Sequence, residues 1–229
     1  MGTSLRILSA NLLNGAAVPA PFAAMVQTLE ADIVSVQEVA PNQAAALRSV
    51  RPFGRIDPAY NCRGMGIVAR RPVAVRTMGL PDSDGYIAEV HPDEWPGLRT
   101  SLEIINVHIA APHHFPYLRP LRWRRAQLRR LQEYLDHGGY VPRILVGDFN
   151  ATPLWPVYRR LATRMTDAAL AVAQRKGVRP EKTWGWGEDT RKLLRIDHAF
   201  VSRITIADFQ VVPVSGSDHS AIILDAVVD

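Results

Sequence analysis

The stretch Ile144-Leu145-Val146-Gly147-Asp148-Phe149-Asn150 decides how the rest of the chain is read. Its three leading apolar residues read as a buried strand. Gly147 lets the backbone turn tightly or be approached closely. Asp148 and Asn150 lie two apart, so in an extended segment both point to one side. An acid and an amide side by side can orient a water and bind a phosphate oxygen. The same residues also fit an Asx-type turn followed by a helix cap at Thr152.

Moving outward, other apolar runs end in the same manner. Residues 5–10 form a short strand that stops at Asn11, and residues 33–37 a buried strand that stops at Glu38. Strand ends at a sheet edge are where open α/β folds place ligands, and a carboxylate there can hold Mg²⁺, a hard cation that prefers oxygen. Taken alone, Glu38 reads first as a helix cap or a surface acid. Ile105-Asn106-Val107-His108 alternates, which puts Asn106 and His108 on one face. His108 by itself reads as a core histidine, and in company as a phosphate ligand or proton donor. Asp197 follows Ile196 in a strand, and Ser217-Asp218-His219 ends a Gly/Ser turn. A histidine paired with a remote aspartate is the usual orienting arrangement for a general base. Ser217 is an alternative nucleophile, disfavoured because no glycine elbow surrounds it.

Helical spacing appears over residues 21–30, 41–50, 118–135 and 153–173. In the longest of these, Leu121, Leu128, Leu131 and Leu135 form the apolar stripe, and Gly138-Gly139 ends it. Further strands are read over residues 64–69, 73–80, 86–90, 99–109, 194–201, 204–212 and 221–227. Strands dominate, with helices after the first two and on both sides of the Gly147 strand. Two sheets packed face to face with helices outside both satisfy this pattern. No linker or composition shift divides the 229 residues, so residues 1–229 read as a single domain.

Lys and Arg number 27 against 22 acids, for a net charge of +5, and only Lys176, Lys182 and Lys192 are lysines. Arg forks suit phosphate, although an Arg-favouring genome gives the same bias. Cys62 is the only cysteine, which excludes a disulfide framework and a thiolate metal cluster. No signal peptide and no apolar stretch of membrane-spanning length is recognised, so a cytoplasmic monomer without stable membrane association is expected.

Taken in order, Asn11, Gln37-Glu38, Gly64-Met65-Gly66-Ile67-Val68-Ala69-Arg70, Asn106-Val107-His108 and Arg125-Ala126-Gln127 begin a recognisable set. Gly147-Asp148-Phe149-Asn150, Thr183-Trp184, Arg195-Ile196-Asp197-His198 and Ser217-Asp218-His219 complete it. Together they resemble the endonuclease/exonuclease/phosphatase superfamily of metal-dependent phosphoesterases. The resemblance implies an α+β fold like that of deoxyribonuclease I: a four-layer α/β/β/α sandwich of two mixed, mainly antiparallel sheets. It implies Glu38 as the main Mg²⁺ or Mn²⁺ ligand, with Asn11 and Asp218 close by. Asp148 and Asn150 would orient the attacking water and the phosphate. His219, steered by Asp197, would be the base or the phosphate-polarising group, and His108 would face the phosphate from the other side. Leu13 stands where some nucleases of the family carry an acid, which removes one ligand of a second metal position. His108 replaces the Tyr usual in abasic-site endonucleases, which disfavours that repair activity.

For the substrate, Trp184 and Trp186 are candidates to stack on a base or enter a lipid interface, and Asn106 and Arg63 are further candidate contacts. Phe115, Pro116 and Tyr117 read as a possible cleft wall, and His108, His113 and His114 lack a convincing zinc spacing. The arginines at 119, 122, 124, 125, 129 and 130 read as a solvated outer helix face. The leading expectation is a divalent-metal phosphodiesterase hydrolysing DNA or RNA by in-line attack of water. Alternatives are a phospholipid (sphingomyelinase-like) or inositol phosphoesterase and a small-molecule phosphatase. A non-catalytic binding module is disfavoured by the complete set of acids, amides and histidines.

Overall fold

The structure, a computed structural model, describes residues 2–112, 118–137, 139–188 and 190–228. In chain order the elements are β1 (Thr3–Asn11), α1 (Pro19–Thr28), β2 (Ile33–Gln37), α2 (Pro41–Val50), β3 (Phe53–Asp57), β4 (Met65–Ala69), β5 (Ala74–Thr77), β6 (Tyr86–Val90) and β7 (Leu102–His108). Then follow α3 (Leu118–His137), β8 (Arg143–Asp148), α4 (Pro156–Ala162), β9 (Thr166–Asp167), α5 (Ala168–Lys176), β10 (Asp197–Ser202), β11 (Thr205–Pro213) and β12 (Ser220–Val228).

Two six-stranded sheets result, ordered β11-β12-β1-β2-β4-β3 and β5-β6-β7-β8-β10-β9. Each holds one parallel pair near its centre: β1 with β2, joined through α1, and β7 with β8, joined through α3. A parallel pair needs a crossover, which is why these two connections carry helices. Every other pairing is antiparallel. Leu5, Ile7, Ile67, Ala88, Ile104, Val146, Val201 and Leu224 pack between the sheets. Leu8, Val34, Val36 and Ile223 face Phe22, Val26 and Leu47 of α1 and α2. Ile105, Val107, Leu145 and Phe200 face Leu128 and Leu131 of α3 and Val157 and Leu161 of α4. These three apolar layers make the expected α/β/β/α sandwich.

The inner rows change character along their length. In β1 the inward residues run Leu5, Ile7, Ser9, Asn11; in β2, Ile33, Ser35, Gln37; in β7, Ile104, Asn106, His108; in β8, Ile144, Val146, Asp148. The antiparallel neighbours β10 and β12 enter at the same end with Asp197 and Ser220. Period-two alternation thus delivers apolar side chains to one end of the inter-sheet space and polar ones to the other.

Three readings are corrected. The helix over residues 153–173 is two helices, because Thr166–Asp167 pairs with β10 and the Asp167 carboxylate caps α5, accepting from Leu170 N–H at 3.0 Å. β3 was not anticipated: it is an edge strand, largely exposed, and so carries little apolar pattern. Leu121 is exposed and outside the α3 stripe, whereas Leu128 and Leu131 are buried. His113, His114, Phe115, Pro116, Tyr117 and Gly138 lie outside the described residues.

Candidate active site

At the polar end the inner rows open into a cleft of about 600 Å³. Among the described residues, seven non-glycine positions have positive φ, and five of them line this cleft: Leu13, Asn14, Glu38, Asp82 and Asn150. Asn and Asp adopt left-handed backbone readily, but for Leu13 and Glu38 it costs roughly 1–2 kcal/mol per residue, so at those two positions geometry is held against local preference.

Asp148 is the hub. Its Oδ1 accepts from the Asn150 backbone N–H at 2.7 Å. Its Oδ2 accepts from Asn11 Nδ2 and from Asn150 Nδ2, each at 3.1 Å. The αL turn at Asn150 brings that amide back onto the acid two residues earlier, and Nδ2 also donates to Ile109 O at 3.0 Å. Opposite, His219 Nδ1 donates to Asp197 at 2.9 Å, which directs Nε2 towards Asp148 Oδ2 and Asp218 Oδ1, each 3.9 Å away. The side-chain oxygens and ring nitrogen of Asp148, Asp197 and His219 all lie within 4.8 Å of one another in a tight buried group. Burial and the Asp197 carboxylate push Asp148 up to about 6, against the pull of His219 and His108. Burial opposes charge on His219, but Asp197 and Asp148 outweigh it and raise the ring to about 10. The two carboxylates thus favour the charged form of the His219 ring.

Across the cleft, Glu38 Oε1 accepts from Asn11 Nδ2 at 3.1 Å and Oε2 from the Asn14 backbone N–H at 2.9 Å. His108 sets its Nδ1 against Cys62 O at 3.1 Å, with Nε2 3.5 Å from Glu38 Oε1 and 3.6 Å from Asp148 Oδ2. Asp218 Oδ2 accepts from Trp184 Nε1 at 2.9 Å. Its Oδ1 is buried and has no hydrogen-bond partner among the described residues. Thr183 Oγ1 accepts from Ile196 and Asp197 N–H, each at 3.2 Å, and so fixes the start of β10.

Glu38, His108, Asp148, Asn150, Asp218 and His219 thus line one cleft, with Asn11 and Asp197 directly behind them. Two expectations need correction. Asn106 is fully buried and away from substrate: Nδ2 donates to Val36 O and Gly66 O, and Oδ1 accepts from Gln37 Nε2 at 2.6 Å. It ties the two sheets together one turn of the pleat below His108. Asn11 presents Nδ2, not oxygen, to the carboxylates, because its Oδ1 accepts from Leu13 N–H at 2.9 Å. It bridges Glu38 and Asp148 rather than offering a metal ligand. Ser217 Oγ donates to Asn11 O and accepts from His219 N–H, a structural role that leaves no nucleophile.

Arg63 and Trp184 line the cleft, whereas Trp186 stacks edge-on against Trp184 at 5.0 Å and is 79% exposed. Trp123 and Trp155 also line it and were missed. Trp155 sits five residues beyond Asn150, close enough in sequence to have been flagged; Trp123 is hidden among the α3 arginines. Five of those arginines are exposed as expected, but Arg124 is buried, with Nη1 donating to Ala110 O and the guanidinium over the Trp155 ring. Gln127 accepts from Ala110 N–H and donates to Pro81 O, so α3 clamps the loop after β7.

The sequence matches the Endonuclease/Exonuclease/phosphatase family over residues 8–219. No curated protein matches it. Solved structures of the same fold include TDP2 of D. rerio complexed with a single-strand DNA product, 16% identical with a TM-score of 0.72 over 98% of this chain and 99% of that one. The mannosyl-6-phosphatase of Bacteroides thetaiotaomicron is 19% identical, TM-score 0.70, covering 97% and 99%. The human Nocturnin catalytic domain with bound sulfate is 19% identical, TM-score 0.70, covering 99% and 96%. At such identities these likenesses are of fold. The family match, running from the first strand to His219, carries the conclusion that the chain belongs to the endonuclease/exonuclease/phosphatase family of phosphoester hydrolases.

Proposed function

We propose that this single-domain protein is a divalent-metal-dependent phosphodiesterase that cleaves nucleic acid. The observation that carries the substrate class is the cleft itself: Arg63 on one wall and the indoles of Trp123, Trp155 and Trp184 on the others, around buried acids and histidines. An Arg fork pairs with a phosphate, and indoles stack on bases whatever the sequence. The fold neighbour TDP2 of D. rerio, complexed with a single-strand DNA product, is in keeping with this reading.

The donors fit a hard dication: Glu38 offers two oxygens, and the buried Oδ1 of Asp218 has no hydrogen-bond partner among the described residues. Glu38 and Asp218 would hold Mg²⁺ or Mn²⁺, which when bound neutralises phosphate charge and acidifies water. The chain's own groups do the rest. Asp148, fixed by three amide hydrogens, orients the attacking water and accepts its proton. The His219 imidazolium, held by Asp197, pairs with a non-bridging phosphate oxygen as charge builds there. Asn150 keeps Asp148 in place. EDTA should abolish turnover and Mg²⁺ or Mn²⁺ restore it.

A second reading rests on Tyr60, Leu154 and Trp186, which are 83%, 86% and 79% exposed and lie close in sequence to the cleft residues Cys62, Trp155 and Trp184. Such a rim also suits a lipid interface. The deciding experiment sets single-stranded DNA, duplex DNA and RNA beside sphingomyelin vesicles and inositol phosphates at equal Mg²⁺. Cleavage of a nucleic acid is expected. Release of phosphocholine or inorganic phosphate with both polymers intact would overturn the proposal in favour of the lipid or small-molecule reading.

A further inference from the structure

The 29 residues from 104 to 132 and the 18 from 149 to 166 contain no acid. Together they carry nine arginines, so the rest of the chain nets −4 against the total of +5. An Arg-favouring genome turns Lys into Arg but does not separate bases from acids along a chain. The two segments hold α3 and α4, which pack together over the sheet through Leu128, Leu131, Val157 and Leu161. The positive excess therefore sits on one helical layer.

Within α3 the charge is ordered. At about 100° per residue, Arg119, Arg122, Arg125, Arg129 and Arg130 fall within about 140° of the helix circumference, opposite Leu128 and Leu131. All five are exposed, in a row about 17 Å long. Arg129 and Arg130 lie near Glu133, at 3.9 and 3.8 Å. Arg119, Arg122 and Arg125 make no ion pair among the described residues. The row begins at the cleft: the Arg119 guanidinium lies 4.6 Å from the centre of the Trp123 ring, and that ring lines the cleft with Trp155.

We propose that the outer face of α3 is a track for the phosphate backbone of a nucleic-acid strand whose scissile phosphodiester lies in the cleft, so that long single strands bind in preference to short ones. Sites for single strands combine a basic row with stacking aromatics in this way. An anionic bilayer fits less well. A helix lying on lipid turns its apolar face outward, whereas that of α3 is packed on Ile105, Val107 and Leu145. The inference rests on the nucleic-acid reading of the cleft.

The probes are phosphorothioate single-stranded DNAs of about six and about 25 nucleotides, which resist cleavage, titrated at equal Mg²⁺ over a range of salt. Wild type should bind the long strand about tenfold or more tighter than the short one. In Arg119→Gln/Arg122→Gln/Arg125→Gln that ratio should fall towards one. The salt slope for the long strand should drop by about two, since each lost phosphate contact removes about 0.7. Arg122→Gln/Arg125→Gln, which spares the Arg119–Trp123 stack, should lower the slope by about two thirds as much. Arg71→Gln/Arg99→Gln/Arg203→Gln removes the same charge from exposed positions at the opposite end of the sheets and should change neither ratio nor slope. Native circular dichroism is expected throughout. A slope unchanged in the α3 variants, equal losses from both triple variants, or equal wild-type affinity for the two lengths would overturn the inference and leave the nucleic-acid reading standing. Loss of binding to phosphatidylserine vesicles in the α3 triple variant, with DNA binding unchanged, would assign the face to lipid and also overturn it. Binding of neither strand by wild type would overturn both.

Discussion

His219 has its Nδ1–H committed to Asp197, and this single bond determines what the other nitrogen can reach. Nε2 is left facing the cleft with a positive charge that two buried carboxylates maintain. Because Asp148 has its lone pairs engaged by amides from Asn11 and Asn150, the two groups remain distinct acid and base instead of collapsing into one closed pair. Removing either should therefore damage chemistry more than folding. His219→Ala and Asp148→Asn are each expected to lower turnover by about two orders of magnitude or more, with native circular dichroism. Near-wild-type turnover in either variant would show its role to be misassigned. His198 lies next to Asp197 in sequence yet does a different job. It points to the opposite face of β10, where Nε2 donates to Ala151 O at 2.7 Å and Nδ1 accepts from Arg195 at 3.2 Å. Burial, then the Arg195 charge, lower it to about 4 from 6.5. The fold thus holds the neutral ring, and its contribution is complete above pH 6.5. As pH falls from 6.5 to 4 the unfolded chain takes up a proton that the folded chain refuses, and about 3 kcal/mol of stability is lost. Urea denaturation across that range should show this slope in the wild type and a shallower one in His198→Gln; equal slopes would count against a buried neutral His198.

At the scale of the element, Gly147 explains how β8 can lie against β7 at the edge of the cleft. Its φ is +136°, and a Cβ there would meet Val107 O at 1.9 Å. That clash is with backbone, which cannot swing away. Gly147→Ala is expected to cost about 3 kcal/mol or more and to disorder the Asp148 and Asn150 positions with it. A melting temperature within about 2 °C of wild type would refute this, since even 1 kcal/mol moves a domain of this size by about 2–4 °C. The need for glycine was legible in the sequence, as were the acids, amides and histidines that end each strand. What could not be read was depth. Alternation correctly gave Asn106 and His108 one face, but it carries no information on how far along the inter-sheet space each one sits, so Asn106 was taken for a cleft residue. Nor does a sequence say which end of an Asn amide faces a neighbour. The orientation of Asn11 follows from the Leu13 N–H, which an unanticipated left-handed turn delivers to its oxygen. β3 and β9 escaped notice because an exposed edge strand and a two-residue strand lack the apolar rhythm that reveals longer ones.

For the whole molecule, the two parallel pairs with their helices are what gather the site from residues as far apart as Asn11 and His219. All four central strands end at one edge of the sandwich, so a chain spanning nearly its full length converges on a single cleft. The chain as a whole carries a net charge of +5, and all but three of its 27 basic residues are arginine. If the substrate is a polyanion, that charge acts before any base stacks. Binding displaces counterions from the phosphates, and the logarithm of the association constant should fall linearly with the logarithm of salt concentration. Arg63 is the cation of the cleft wall with the freest side chain, 66% exposed and only loosely paired with Asp82 at 3.5 Å. Arg63→Ala should therefore weaken binding of single-stranded DNA to the metal-free protein and reduce the salt slope by about one. Trp155→Ala, in the same fluorescence titration, should weaken binding by about 1–3 kcal/mol and leave the slope unchanged, because stacking neutralises no phosphate. A salt-independent affinity, or an Arg63→Ala slope equal to wild type, would mean that the cleft does not track a phosphate backbone and would turn attention to a compact phosphoester held by the metal and the histidines alone.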